Sequence, residues 1–284
     1  MNRRQFLATA AALSKVGPLA AQTANPLDRI AVLSWSFRDA FANTRAKNGW
    51  VPDTDLDIMD YPAMIADRYD IHAVEIQTMY LKQDPAFIKD LRGRLDEAKS
   101  KLVSIAAEPP DAVNAALGGD DEAARANAVA VNKKWIDFCS EIGCPVLMIN
   151  QGNLHDNLAP LTDSAKQLVE YGKGKKVTIT AEPRGTSGRQ PEKLIQVMKD
   201  SGMKATPDMG NFADDVRERG LREMIPFAAG TCHTRYNPAR FDLAKLMQIT
   251  KDAKYKGLYT IEAGFNGDPY VQVQTVLDNI LKYL

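Results

Sequence analysis

Two hydrophobic rhythms alternate along the chain. Short runs rich in β-branched and other apolar residues recur as IAVLS from Ile30, AVEIQ from Ala73, VSIAA from Val103, VLMIN from Val146, VTITAE from Val177, KATPD from Lys204, GTCHT from Gly230 and LYTIE from Leu258. Their length and composition predict eight strands. The segments between them carry apolar residues at helical spacing, as in Met59, Ile65 and Tyr69, in Phe87, Ile88, Leu91 and Leu95, and in Val131, Trp135, Phe138 and Ile142. Further helices are predicted over about 157–171, 191–201, 214–224, 242–254 and 268–283. Gly143, Gly172, Gly202 and Gly257 stand just before strands, where the turn out of a helix favours a left-handed residue. Strict strand–helix alternation predicts an α/β fold with a parallel sheet, and eight units predict a single-domain (β/α)8 TIM barrel over residues 28–284. A doubly wound open sheet is the alternative; no G-x-G-x-x-G follows the first strand to support it.

In such a barrel the chemistry sits where strands end and the following loops begin. Glu182, Asp208, His233 and Glu262 stand at the ends of predicted strands five to eight. Neighbouring strands lie roughly 4.8 Å apart, so four adjacent ends can converge on one ion. Thr180, Thr206, Thr231 and Thr260 each precede one of these residues by two positions, which places them on the same strand face. They are expected one layer below, as hydrogen-bonding support for the ligands. Three carboxylates and one imidazole suit Mn²⁺ best, with Co²⁺, Mg²⁺, Fe²⁺ and Zn²⁺ also compatible. With no Cys ligand in the set, a structural zinc is disfavoured.

Composition and charge narrow the class. The 284 residues hold 36 Lys+Arg against 36 Asp+Glu, and this balance opposes a nucleic-acid partner. Three Cys are too few for a disulfide framework. No uncharged apolar run reaches the length of a membrane span. The start, Asn2-Arg3-Arg4-Gln5-Phe6-Leu7 followed by small apolar residues, resembles a twin-arginine export signal over residues 1–25. This implies a partnership with the twin-arginine machinery and an exported protein of the bacterial periplasm.

Other residues near predicted strand ends are candidates for substrate contact: Trp35, Glu75, Gln77, Glu108, Gln151, Arg184, Asn211 and Arg235. Asn150, His155 and Arg240 are weaker candidates. The stretch from Arg38 to Asp57 is long for a connecting loop, and its neighbours Trp35, Phe37, Phe41 and Trp50 could stack on a sugar face.

Val74-Glu75-Ile76, Ile142-Gly143-Cys144-Pro145, Ala181-Glu182-Pro183, Asp208-Met209-Gly210-Asn211, His233 and Ile261-Glu262 together resemble the xylose isomerase-like TIM-barrel superfamily, in its sugar phosphate isomerase/epimerase branch. The resemblance runs from about Ile30 to Leu284. It implies one divalent ion held by Glu182, Asp208, His233 and Glu262. The chain departs from the ketose epimerases of that branch at three points. Asn211 stands where many members carry His, Arg184 to Gly188 lack a second Glu, and Thr234-Arg235 follow His233.

A site of this kind can abstract the α-proton of a keto-sugar, passing through an enediolate, with Glu182 and Glu262 as the catalytic carboxylates. The expected protein is a metal-dependent sugar isomerase or epimerase acting on a small carbohydrate, a free sugar or keto-sugar. A keto-glycoside lyase or hydrolase on the same metal site, or a non-catalytic exported sugar-binding barrel, are the alternatives. An endonuclease on abasic DNA shares the barrel, but the balanced charge and the three His oppose it.

Overall fold

The computed structural model describes residues 25–264 and 267–284. The expected export segment lies outside the described residues, Asn25 excepted. Eight strands run in chain order: β1 Ile30–Leu33, β2 Ala73–Gln77, β3 Lys101–Ala106, β4 Val146–Ile149, β5 Thr178–Ala181, β6 Lys204–Ala205, β7 Thr231–Thr234 and β8 Leu258–Ile261. Their hydrogen-bonded order is β6-β5-β4-β3-β2-β1-β8-β7, and every pairing is parallel. The two edges, β6 and β7, meet through single parallel bridges, Ala205 with Ala228 and Asp208 with His233. The His233 amide donates to the Pro207 carbonyl at 2.8 Å, and the Met209 amide donates to the His233 carbonyl at 3.0 Å. The barrel therefore closes along a seam that carries two of the predicted ligands.

The seam is thin for a chemical reason. The run KATPD was expected to form one strand, but regular pairing stops after Ala205. Pro207 has no N–H to donate, and contact with β7 resumes only around it.

Ten helices connect the strands among the described residues: α1 Tyr61–Tyr69, α2 Pro85–Glu97, α3 Asp111–Ala116, α4 Glu122–Ile142, α5 Ala159–Lys175, α6 Thr186–Arg189, α7 Pro191–Ser201, α8 Arg217–Met224, α9 Leu243–Asp252 and α10 Pro269–Ile280. Eight match the predicted segments; α3 and α6 are short additions in the loops after β3 and β5. Local chemistry sets several starts. The Asp84 carboxylate accepts from the Phe87 amide at 2.8 Å, and the Asp121 carboxylate accepts from the Ala123 and Ala124 amides, each satisfying donors that a first helical turn leaves free.

Gly143 ends α4 in the left-handed region with φ of 85°, and Gly202 ends α7 at 79°. Gly172 and Gly257 do not play this part. Gly172 stays inside α5, which ends on left-handed Lys176, and Lys254 is the left-handed residue before β8.

The helices bury Ile65, Leu91, Ile136, Leu168, Leu194 and Leu277 against the outer face of the sheet. No helix among the described residues is long and apolar enough to cross a membrane. Many buried positions on the strands and just past β6 are polar: Glu75, Ser104, Thr180, Thr206, Thr231 and Thr260 are all fully buried. A barrel filled only for packing would carry Val, Ile and Leu in such places.

Candidate metal centre and its cleft

Four side chains from four consecutive strand ends meet at one point. Glu182 follows β5, Asp208 lies just past β6, His233 is within β7 and Glu262 follows β8. One ligand atom from each lies within 4.8 Å of all the others, and all four residues are buried. The His233 Nδ1 is 3.0 Å from a Glu182 oxygen, 3.3 Å from a Glu262 oxygen and 3.8 Å from Asp208 Oδ2. It is aligned for a hydrogen bond with none of them, and Glu182 Oε2 also lacks a hydrogen-bond partner. Buried polar atoms left unpaired while pointing at one another are costly without something between them. A divalent cation satisfies the whole set, and a hard-to-borderline ion matches three carboxylates and one imidazole.

The surroundings aim each donor. Asp208 Oδ1 accepts from the Gly210 and Asn211 amides at 2.6 and 2.9 Å, which leaves Oδ2 turned toward the centre. Arg235 bonds Asp208 Oδ2 at 3.0 Å and Glu262 at 2.6 Å. Arg184 bonds Glu182 and, at 2.8 Å, Glu108, which also accepts from the Asn150 amide nitrogen. Two guanidiniums thus span four carboxylates at the mouth of the site.

The electrostatics separate the two glutamates. Burial pushes the Glu182 carboxyl up, but the charges of Arg184, His233 and Arg235 together outweigh it and bring it down to about 2. Glu262 ends above its ordinary value, because burial and the nearby Asp208 charge exceed what Arg235 and His233 return. Burial opposes charge on His233, yet Glu75, Glu182 and Glu262 surround it and hold its pKa well above 6.5. The cluster attracts positive charge at the point where the ligand atoms converge.

A cleft of about 320 Å³ opens over the centre. Six of the eight residues expected to touch substrate line it: Trp35, Gln77, Glu108, Arg184, Asn211 and Arg235. Glu75 and Gln151 do not; both are fully buried behind it. Gln151 donates to the Glu182 carbonyl at 2.8 Å and to the Ser187 hydroxyl at 3.1 Å, so it braces the loop after β5. Glu75 faces the far nitrogen of His233, Nε2, at 3.2 Å.

Of the weaker candidates, Asn150 holds the cleft residue Glu108, and the others lie elsewhere. His155 is exposed, Arg240 pairs with Asp214 at 2.8 Å, and Phe37 and Phe41 are core residues packed against Tyr61. The four threonines are buried as expected, but they do not support the ligands. Thr180 and Thr206 hydrogen-bond each other at 2.8 Å, and the Thr231 and Thr260 hydroxyls have no partner.

Sequence reasoning missed Ser187 and Gly210. The Ser187 hydroxyl accepts from the Arg184 amide at 2.9 Å and donates to the Arg184 carbonyl at 2.8 Å. A Cβ on Gly210 would stand 2.4 Å from Arg235 Cδ, so the missing side chain is what lets Arg235 cross to the acids. Asp208-Met209-Gly210 carried that signal, a glycine where a side chain must pass close to backbone.

The family model for the xylose isomerase-like TIM barrel matches residues 65–280, well over half of the chain. The chain belongs to this family. Family membership agrees with the eight-stranded parallel barrel and with a site on the loops that follow the strands. No curated protein matches the chain.

Solved structures of similar fold include an L-ribulose 3-epimerase, with TM-score 0.69, 13% identity and coverage of 90% of this chain and 94% of the other. A D-allulose 3-epimerase from Methylomonas sp. aligns with TM-score 0.66 and 13% identity over 90% of this chain and 98% of the other. A D-psicose 3-epimerase from Clostridium cellulolyticum H10, solved with D-tagatose, aligns with TM-score 0.64 and 13% identity over 88% and 91%. At these identities the likeness is one of fold.

Proposed function

We propose that the protein is a divalent-metal-dependent isomerase or epimerase of a free sugar or keto-sugar. The observation that carries this reading is the convergence of Glu182, Asp208, His233 and Glu262 on one point beneath a polar cleft. The substrates named for the similarly folded epimerases support a carbohydrate of that size. The ion, with Mn²⁺ the best match to the donors, would supply Lewis-acid polarisation of a carbonyl and compensate the charge of an enediolate.

The chain's own residues supply the rest. Glu182 and Glu262 come from the two ends of the ligand arc, β5 and β8, and bracket the centre. Each is placed to take or return a proton on the carbon next to the carbonyl. Return on the opposite face inverts that carbon; return to the neighbouring carbon interconverts aldose and ketose. Arg184 and Arg235 present donors to substrate oxygens, Gln77, Glu108 and Asn211 offer hydroxyl contacts, and Trp35 offers a face to the apolar side of a sugar ring.

Export by the twin-arginine route belongs to the same proposal. It rests on Asn2 to Leu7 and points to free rather than phosphorylated sugars. A second reading is favoured by Arg184, in the stretch after β5 that lacks the second Glu of the ketose epimerases. Its guanidinium lies beside Glu182 and is suited to a departing oxygen, as in elimination from a keto-glycoside.

The test is incubation with keto-sugars and 3-keto-glycosides in D₂O, with and without Mn²⁺ or Co²⁺. Metal-dependent entry of deuterium at the α-carbon is expected. Released aglycone alongside it would select elimination. Absence of both across the panel, with metal present, contradicts the proposal.

A further inference from the structure

Glu75 is a carboxylate with no place in the chemistry above. It lies in the middle of β2, fully buried, with no contact with the cleft. Its Oε1 is 3.2 Å from His233 Nε2, and its Oε2 has no partner. Among the described residues His233 is its sole ionic partner. β2 and β7 are not neighbours; β1 and β8 stand between them in the sheet, so the pair meets across the barrel interior. The pairing of β2 with β3 slips between Val74 and Glu75, the kind of irregularity that re-aims a side chain.

A buried carboxylate is costly, and most barrel interiors fill such a position with an aliphatic residue. We propose that Glu75 is the positioning residue of the metal centre: it accepts the Nε2–H of His233, fixes the tautomer that leaves the Nδ1 lone pair facing Glu182, Asp208 and Glu262, and strengthens Nδ1 as a donor to the divalent cation. This rests on the reading of those residues as ligands and adds to it which nitrogen binds and what sets that choice. The geometry supports the direction: Nδ1, not Nε2, faces the three carboxylates. A carboxylate behind a ligating imidazole orients the ring and raises its basicity. The divalent charge, shared through the ring, in turn compensates Glu75.

The test measures Mn²⁺ affinity calorimetrically for the wild-type chain, Glu75→Gln and Ser104→Ala. Ser104 pairs in register with Glu75 on β3 and has no hydrogen-bond partner of its own, so it reports general disturbance of this layer. E75Q keeps an acceptor but removes the charge. It is expected to weaken Mn²⁺ binding by about 10- to 100-fold, the range typical for such partners, while S104A stays near wild type.

The chain has three His, so ¹⁵N-histidine NMR of the Zn²⁺-loaded wild type reads the tautomer without any variant. One ring is expected to show a protonated Nε2 and a metal-shifted Nδ1. Coordination through Nε2 overturns the inference, as does a folded E75Q with wild-type affinity. If E75Q fails to fold, the NMR result decides alone. A wild-type chain that takes up no divalent ion overturns the metal reading and this inference together; normal uptake with an unaffected E75Q overturns the inference only.

Discussion

Glu182 and Glu262 are the same residue type in two electrostatic settings, and the difference has consequences for each. The net positive surroundings of Glu182 hold it ionised, at about 2, whereas Glu262 sits above its ordinary value. Both bracket the centre, from β5 and β8, where the proposed chemistry needs a group that removes or returns a proton. Glu182→Gln and Glu262→Gln are each expected to lower kcat by about 10² to 10⁴-fold, the usual worth of a positioned acid or base, with an unchanged circular dichroism spectrum. Steady-state kinetics check this, and near-wild-type turnover in either variant removes that residue from its role.

His233 gives a pH prediction. Burial opposes its charge, yet Glu75, Glu182 and Glu262 raise its pKa well above the ordinary 6.5. An ion takes only the neutral ring, so binding competes with protonation: proton release should accompany metal uptake, and affinity should fall as pH is lowered. Calorimetric titrations in two buffers of different ionisation enthalpy measure this; identical heats would contradict it. All four of these clustered residues were legible as strand-end groups. The task of Glu75 was not, because sequence spacing reports that a residue is on a strand but not which side chain it meets across the barrel.

At the scale of elements, the loop after β6 shows how backbone and side chain are matched. Asp208 is fixed by the amides of Gly210 and Asn211, and Gly210 leaves the space that Arg235 occupies. Gly210→Ala is expected to displace Arg235 from Asp208 and Glu262 and to lower kcat/KM on the order of 10²-fold, as small misplacements at a reacting centre do, while the fold persists. A kinetic comparison with Arg235→Ala checks the route: the two variants should resemble each other, and a G210A variant with full activity would refute it.

Strand and helix positions were readable here because the 2- and 3.6-residue periods differ so clearly. What escaped was local. α6 spans only Thr186–Arg189, too short to show a period. Pro207 cut β6 short although its neighbours suit a strand. α5 ran through Gly172 to a left-handed lysine, because surrounding helical residues outweighed one glycine. The threonine quartet was placed correctly by alternation, but alternation says nothing of hydroxyl partners, and these threonines bond each other or nothing.

For the whole molecule, strict alternation made the barrel predictable, whereas the point of closure was not. Closure falls between β6 and β7, where pairing is reduced to the bridges of Ala205 and Asp208. Asp208 and His233 therefore serve the seam and the centre at once, and an ion held by both would tie the barrel shut. A ligand that binds only the folded chain stabilises it by about 2.7 kcal/mol at a hundred times its dissociation constant, so added Mn²⁺ should raise the melting temperature.

The proposed chemistry depends on the four strand ends holding one common ion. Equilibrium dialysis of the metal-stripped chain against Mn²⁺, followed by elemental analysis, measures this directly. One ion per chain is predicted for the wild type, with none retained by Asp208→Ala or His233→Ala. A wild-type chain that retains no ion, or variants that retain it as well as the wild type does, would contradict the account.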